Sequence, residues 1–420
     1  MKLKNISLYK FKGFVEETID LDDRLTVIVG ENGAGKSSVL DAITIILSWV
    51  IARIKNPRGI GQRIGKEQIH KGKKRSYLFS TYDIEGNKSS FKVQSHAKRG
   101  INNEPIPESF ILSEYCNNIR EKIEQTEGKT SVPVFVKYGV RRAVVDIPLK
   151  IKKSHIFDLL ATYDESLKGD ANFRNFFEWF RNREDLENER YRENPKTFIE
   201  DRELNAVKET ISKFIPGFKN LRVKRSPLRM VVDKDDKEFA VNQLSDGEKT
   251  YIALIGDLCR RLVLANPTLD NPLMGEGIVL IDEIDLHLHP QWQTEIAEKL
   301  CNTFPNIQFI VTTHSPLVIT NVKTEQLRVL KTEDGVTKLV DNDYSYALPV
   351  SIILKDVMGI KNELPKEIEL DILPKIYRLI KEGDIKMAKE WSEKLENISP
   401  YLPELTRIRK IIEFKERGLE

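Results

Sequence analysis

Hydrophobic side chains recur between polar ones along the first residues of the chain, at Leu3, Ile6, Leu8 and Phe11. Near-alternation of this kind is typical of strands with one buried face, so residues 2–29 predict two or three strands. The apolar run at 25–29 predicts a strand that is buried on both faces. Helical spacing begins at Ser38, so the residues between join a strand to a helix.

The spacing of hydrophobic residues changes several times in the middle of the chain. Alternating segments at 76–84 and 89–95 predict an antiparallel β-layer, and the polar stretch at 98–131 predicts a surface insertion. An apolar strand follows at 132–139. From 156 to about 214 the pattern is helical and densely charged, and one helix face carries four aromatic residues, Phe173, Phe176, Phe177 and Phe180. We interpret this stripe as the core of a helical subdomain rather than as a base-stacking platform.

Strand patterns return in the last third of the chain, which then ends in helices. Segment 221–241 predicts strands, and residues 251–264 predict a helix. The buried-type runs at 278–281 and 307–311 predict two further strands. The C-terminal tail has helical spacing at 365–382, 385–395 and 403–417. Paired helices of this kind make an interaction surface, although a tail that only packs on the core would show the same pattern.

The composition is that of a globular protein, with 31% charged and 40% hydrophobic residues among 420. No run of about 18 apolar residues exists that could span a bilayer. The longest candidate, Val39–Ile54, contains Asp41 and Arg53, which favours a buried helix. The N-terminus lacks the apolar core of a signal peptide, and three widely spaced cysteines indicate neither a disulfide framework nor a zinc site. We expect a cytoplasmic protein.

The formal net charge of +3 is too small to indicate a nucleic-acid partner by itself, but the charge is unevenly distributed. Between Arg53 and Arg75 the single acidic residue is Glu67. The basic residues of this segment are Arg53, Lys55, Arg58, Arg63, Lys66, Lys71, Lys73, Lys74 and Arg75. The segment fits a phosphate-backbone contact, a solvated loop or a surface for an acidic partner.

The segment from Gly30 to Ser37, GENGAGKS, matches the phosphate-loop pattern G-x-x-x-x-G-K-[ST] and has the required strand before it and helix after it. Its glycines let backbone N–H groups point at one anion, and the start of the helix adds partial positive charge. Lys36 is predicted to hold the β- and γ-phosphates of ATP, and Ser37 to ligate Mg²⁺. The predicted nucleotide-binding residues of this segment are Gly30, Glu31, Asn32, Gly33, Ala34, Gly35, Lys36, Ser37 and Ser38.

Three later segments complete the predicted site. Leu244-Ser-Asp-Gly-Glu-Lys249 precedes a helix that Ser245 can cap, with Gly247 at the turn. The strand at 278–281 ends in Asp282 and Glu283, and the next strand is followed by His314. Asp282 is predicted to hold Mg²⁺ through its water shell, Glu283 to orient or deprotonate the attacking water, and His314 to contact the γ-phosphate.

These four motifs together resemble the ABC-type ATPase superfamily, in the soluble branch that includes RecF, Rad50 and OLD-type proteins. Further segments are similar to the PtuA family, the ATPases of Septu antiphage systems that also occur in some retrons. They include residues 134–141, 177–189 and 275–293, and two short motifs of the C-terminal tail at 356–359 and 376–384. The fold class implied is α/β, an ABC-type P-loop ATPase head with an antiparallel β-layer, a helical insertion and a helical C-terminal tail.

The resemblance also implies roles and partners. Ser245 and Gly247 would complete the ATP site of a second subunit, so that ATP joins a head-to-tail dimer that can assemble further, with Asp285 at the interface. A basic residue in the position of Lys12 lies near the nucleotide in related ATPases, while a solvent-facing lysine in a hairpin remains the alternative. The implied activity is ATP hydrolysis, which can be slow and which regulates an HNH nuclease similar to PtuB. In some systems the implied partners also include a retron reverse transcriptase and its RNA–DNA.

Other interpretations remain open. A RecF- or Rad50-like DNA-repair ATPase would use the basic segment at 53–75 on DNA, and the energy-coupling subunit of a membrane transporter is the third alternative. No glutamine occupies the Q-loop position of the wider superfamily, for which Gln94 and Arg141 are weak candidates. The expected parts are an N-terminal ATPase lobe at 1–155, a charged helical insertion at 156–215, a C-terminal ATPase lobe at 216–345 and a partner-binding tail at 346–420.

Overall fold

The computed structural model describes residues 1–96, 110–140, 157–341, 346–359 and 364–417. It divides into two compact units, Met1–Ile353 and Leu354–Glu420. Arg141, one of the candidates for the Q-loop position, lies outside the described residues.

The first unit contains both strands and helices. Its strands are β1 (Lys2–Phe11), β2 (Phe14–Asp20), β3 (Leu25–Gly30), β4 (Arg75–Ile84), β5 (Asn87–His96), β6 (Val134–Tyr138), β7 (Phe218–Arg225), β8 (Leu228–Lys234), β9 (Lys237–Ala240), β10 (Gly277–Ile281), β11 (Ile307–Thr312), β12 (Leu327–Glu333) and β13 (Val336–Val340). Its helices are α1 (Lys36–Lys55), α2 (Phe110–Gln125), α3 (Phe173–Glu193), α4 (Arg202–Phe214), α5 (Asp246–Ala265), α6 (Pro290–Thr303), α7 (Pro316–Ile319) and α8 (Val350–Ile352).

Ten of these strands form one mixed sheet in the order β5-β4-β1-β2-β13-β12-β3-β11-β10-β6. The pairs within β5-β4-β1-β2 are antiparallel, which is the predicted β-layer. The strands β12, β3, β11, β10 and β6 run parallel, so the loops at their carboxyl ends meet at one edge of the sheet. This architecture confirms the α/β fold class. The strands β7, β8 and β9 form a separate sheet.

Helix α1 is the core helix of this unit. By length and composition it could cross a membrane, yet most of its residues are buried inside the fold, as the sequence predicted for this segment. Helix α2 packs against α1 with Leu112, Cys116 and Ile119 buried. The polar stretch at 98–131 therefore contains a helix with a core face, which the prediction of a surface insertion missed because only a few apolar residues carry it.

The aromatic stripe of α3 is buried, as expected for a core position. It does not form a core of the helical insertion alone, since α3 packs on α5. The two helices approach so closely that a Cβ atom added at Gly256 would lie 2.8 Å from the ring of Phe176. The stripe therefore supports the helix that begins at the LSDGEK segment.

The second unit has an apolar core of its own. Its α-helices are α9 (Leu373–Glu382), α10 (Ile385–Ile398) and α11 (Pro403–Glu416), and a π-helix at Glu367–Ile372 precedes α9. The side chains of Ile376, Leu395 and Ile408 are fully buried among them. Gly383 adopts a φ of +82° between α9 and α10, which is the left-handed conformation that glycine tolerates best at the end of a helix. The predicted helical pairs of the tail are thus present.

Replacing Phe176 by alanine should destabilise the first unit by about 3–5 kcal/mol, because the ring is fully buried between α3 and α5. Urea unfolding followed by tryptophan fluorescence measures the change. Phe79→Ala is the matched control, since the Phe79 side chain is 36% exposed on β4 and should lose much less. Equal losses in the two variants would contradict the packing role of the stripe.

Candidate nucleotide-binding site

The phosphate loop has the backbone geometry that an anion site requires. Gly35, which precedes α1, has a φ of +85°, a conformation that costs other residues energy. No side chain caps the start of α1, so the first N–H groups of this helix keep their hydrogen-bonding capacity. Ser37 is exposed in the first turn. The donors of this helix start therefore fit a bound phosphate group.

Lys36, the first residue of α1, is buried. Its Nζ donates hydrogen bonds to the carbonyl oxygens of Gly30 and Glu31, each at 2.9 Å. Burial lowers the pKa of Lys36, while the nearby carboxylates of Asp282, Glu283 and Asp285 act in the opposite direction. Three acidic side chains thus lie within electrostatic reach of this ammonium group. A cation held by two neutral carbonyls in this setting can rebind to phosphate oxygens with little rearrangement.

The order of the parallel strands brings the separate motifs together. Strand β11 lies between β3, which leads into the phosphate loop, and β10, which leads into Asp282 and Glu283. The loop after β11, which contains His314, therefore lies between the phosphate loop and the two carboxylates. The predicted residues Lys36, Asp282, Glu283 and His314 thus follow neighbouring strand ends at one edge of the sheet.

The Thr312 hydroxyl group holds both acidic residues in place. Its Oγ1 donates to Oδ1 of Asp282 at 2.6 Å and accepts from the backbone N–H of Glu283 at 2.8 Å. Glu283 has a φ of +48°, which is uncommon for a residue with a side chain. The bond to Thr312 stabilises this strained conformation, which sets the direction of the Glu283 side chain.

The loops after β10 and β11 are joined by further hydrogen bonds. Thr313 donates from its hydroxyl group to Oδ1 of Asp285, and the N–H of Ile284 donates to the carbonyl of Thr312 at 2.9 Å. The N–H of Ser315 donates to Oγ1 of Thr313 at 2.9 Å. His314 is thus flanked by residues whose positions are fixed relative to the Asp282–Asp285 turn.

Ser245 caps α5, as predicted. Its hydroxyl group accepts from the N–H of Glu248, and the Glu248 side chain accepts from the N–H of Ser245 at 2.9 Å, which is a capping box. Burial would raise the pKa of Glu248, but hydrogen bonds from Lys234 and Ser245 hold it below its usual value. A Cβ atom at Gly247 would lie 2.5 Å from the carbonyl oxygen of His287. Glycine is therefore required where this segment meets the loop that follows Glu283.

Lys12 does not face solvent alone. Its ammonium group contacts the carboxylate of Asp41 on α1, which also accepts from Lys137 on β6. Neither Asp41 nor Lys137 belongs to a nucleotide-binding motif, although each is a charged residue within an otherwise apolar segment. Gln94 lies on β5, at the edge of the sheet opposite to β6.

The α/β sheet and the phosphate loop at the end of β3 are those of a P-loop ATPase. Residues 25–320 match the family model described as "AAA domain, putative AbiEii toxin, Type IV TA system", and the chain belongs to this family.

Three relatives narrow the relationship. The chain is 33% identical over 395 residues to the Retron Ec83 probable ATPase of Escherichia coli, which covers 79% of this chain and 72% of that protein. It is 31% identical over 444 residues to the Retron Vc95 probable ATPase of Vibrio cholerae, covering 93% and 86%. It is 30% identical over 346 residues to the Septu protein PtuA of Bacillus mycoides, covering 78% of this chain and 40% of that protein. The similarity to Septu and retron ATPases confirms the resemblance found in the sequence.

Thr312→Val should remove the acceptor for the Glu283 N–H and the donor to Asp282. The stability should fall by about 1–3 kcal/mol, because the part-buried N–H group of Glu283 and the carboxylate of Asp282 both lose the hydroxyl partner. Chemical denaturation measures the loss. Thr44→Val is the matched control, since Thr44 is also buried and its hydroxyl group donates to the carbonyl of Leu40 within its own helix α1. A loss no larger than that of the control would contradict the role of Thr312.

Proposed function

We propose that this protein is an ATP-controlled switch of a bacterial antiphage defence system, located in the cytoplasm, which binds ATP and Mg²⁺, dimerises head to tail and restrains an associated HNH nuclease. The observation that carries the proposal is the arrangement of Lys36, Asp282, Glu283 and His314 at one sheet edge. The similarity to retron and Septu ATPases supports its setting in antiphage defence.

Each residue has a defined task in the proposed hydrolysis. The N–H groups at the start of α1 and the ammonium group of Lys36 bind the phosphates, and Gly30–Ser38 surround them. Ser37 and Asp282 would hold Mg²⁺, which would neutralise charge on the phosphate oxygens. The Glu283 carboxylate orients water or accepts its proton, and His314 contacts the terminal phosphate. Lys12 supplies a further cation at this site.

The switch requires a second copy of the chain. We propose that Ser245 and Gly247 of one subunit complete the nucleotide site of the other, with Asp285 at the interface. The close contact of Gly247 with His287 supports this role, because it positions the start of α5 against the loop that follows Glu283. Larger assemblies that carry the nuclease are built from such dimers.

The second unit is the proposed nuclease-binding part. It has its own core, and it exposes large apolar side chains, with Tyr401 95% and Phe414 58% exposed. Exposed aromatic residues are common at protein interfaces. In a retron setting, the reverse transcriptase and its RNA–DNA are further partners of the same assembly.

Glu283→Gln should retain ATP and trap the dimer, because binding groups stay in place while the proton acceptor is lost. Lys36→Ala should bind no nucleotide and stay outside the ATP-linked dimer. Light scattering after size-exclusion chromatography, with ATP and Mg²⁺, measures both. In cells that co-express the proposed partner, an HNH nuclease encoded by an adjacent gene, Glu283→Gln should keep the nuclease inactive and Lys36→Ala should release it.

Co-purification with that nuclease and a DNA-cleavage assay with and without ATP complete the experiment. Glu325→Gln, on the exposed surface of the same unit, is the control for loss of one glutamate. If Glu283→Gln releases ATP as fast as the unchanged protein, Glu283 is not the proton acceptor. If no nuclease co-purifies, the regulatory part of the proposal is wrong.

A second function is favoured by the basic segment at 53–75. Its side chains at Arg58, Arg63, Lys66, Lys71, Lys73 and Lys74 are exposed. In the part of the chain that the structure describes, none of these six makes an ion pair with a carboxylate. Uncompensated cations of this density attract a phosphate backbone, as a RecF- or Rad50-like DNA-binding ATPase would need.

Charge reversal at Lys71, Lys73 and Lys74 should weaken DNA binding and flatten its salt dependence, because each lost phosphate contact lowers the slope of log K against log salt by about 0.9. Fluorescence anisotropy at several salt concentrations, with and without ATP, measures this. Reversal of Lys366, Lys410 and Lys415, exposed in the second unit, is the control. Equal slopes for both triple variants would remove this second candidate.

A further inference from the structure

Two lysines from distant parts of the chain converge on Asp41. Lys12 lies in the turn between β1 and β2, and Lys137 lies on β6. Both ammonium groups donate to the carboxylate of Asp41 on α1. Asp41 is four residues beyond Ser37, which places it about 6 Å further along the helix axis on nearly the same face. The three side chains therefore form a charged cluster beside the phosphate loop.

The cluster carries an excess positive charge in a partly buried position. The side chain of Lys137 is 14% exposed, and those of Lys12 and Asp41 are each 29% exposed. Within the described residues, no second carboxylate lies within ion-pair distance of either lysine. Burial would raise the pKa of Asp41, but the bonds from Lys12 and Lys137 outweigh it and hold the pKa below its usual value. One carboxylate thus balances only half of the positive charge, which leaves a demand for an anion.

Hydrogen bonds fix the backbone of both lysines. The N–H of Lys12 donates to the carbonyl of Gln68 at 2.6 Å, and the carbonyl of Lys12 contacts Nδ1 of His70 at 2.8 Å. The N–H of Lys137 donates to the carbonyl of Ser166 at 2.7 Å. Only the side chains need to move for the lysines to change partners.

Strand β6 also places Lys137 next to the acidic end of β10. Lys137 pairs with Leu280 in the parallel ladder, and the next residue, Tyr138, accepts from the N–H of Asp282 at 2.7 Å. Lys137 therefore joins α1, one turn beyond Ser37, to the strand that leads into the Asp282–Glu283 turn. The proposed site has the terminal phosphates of the nucleotide in this region.

We propose that Asp41 is a counter-ion that keeps Lys12 and Lys137 beside the phosphate loop, and that Lys137 transfers from Asp41 to the phosphates of the nucleotide. This inference rests on the proposed ATP binding and adds a phosphate-positioning residue that the motifs do not include. Lys137 makes the contact from β6 for which the sequence offers no clear glutamine.

The proposal predicts effects of opposite sign. Lys137→Met should weaken ATP binding about tenfold or more, because a charge-assisted hydrogen bond to phosphate is lost. Asp41→Asn should tighten binding severalfold, because two unbalanced lysines then face the phosphates without a competitor. A cluster with a purely structural role would weaken binding in both variants. Titration with a fluorescent ATP analogue at fixed Mg²⁺ measures the dissociation constants.

Three further variants make the result decisive. Lys137→Arg keeps the charge and should retain most of the affinity, which also shows that loss in Lys137→Met is not misfolding. Lys208→Met and Glu187→Gln break a comparable ion pair between α3 and α4 and should leave affinity unchanged. Unchanged binding in Lys137→Met, or weaker binding in Asp41→Asn, would overturn the inference. If the unchanged protein binds no more nucleotide than Lys36→Ala, the proposed ATP binding itself is wrong.

Discussion

The hydroxyl group of Thr312 links the two acidic residues of the site to the strand beside the phosphate loop. Thr312 is the last residue of β11 and pairs with Ile28 of β3, the strand that runs into the phosphate loop. Its side chain bonds Asp282 and the N–H of Glu283 on the other side. The distance between the phosphate loop and the carboxylates is therefore set by the fixed spacing of β3, β11 and β10 and by the hydrogen bonds of this hydroxyl group.

Strand β6 connects this site to α5, the helix that Ser245 caps. Adjacent residues of a strand point to opposite faces, and here Lys137 contacts Asp41 while the hydroxyl group of Tyr138 donates to Oδ2 of Asp257 on α5 at 3.0 Å. Asp257 is fully buried and also accepts from Arg260 and Arg261. Burial would raise the pKa of Asp257, but the two guanidinium groups hold it below its usual value. Removing one partner of such a group is costly, so β6 and α5 are held together firmly.

The parts of this structure that follow from local pattern could be predicted from the sequence. The phosphate loop, the Ser245 cap and the buried strand before Asp282 each depend on neighbouring residues, and all three are present. The contacts of Phe176 with α5 and of Lys12 and Lys137 with Asp41 join residues far apart in the chain. No periodicity encodes them. The insertion of β12 and β13 between β2 and β3 likewise depends on long-range pairing that the alternation of a single strand does not specify.

The loop from Glu283 to His287 links the acidic end of β10 to the start of α5 within a few residues. Leu286 donates its N–H to the carbonyl of Glu283 at 2.9 Å, so the loop is a tight turn rather than a flexible link. At its far end the carbonyl of His287 lies against Gly247, where any side chain would collide. A shift of the Glu283 backbone must therefore displace the start of α5 or break the turn. In the proposed dimer the start of α5 is the part offered to a second subunit, so the state of the nucleotide site and the fit of that subunit would be mechanically coupled.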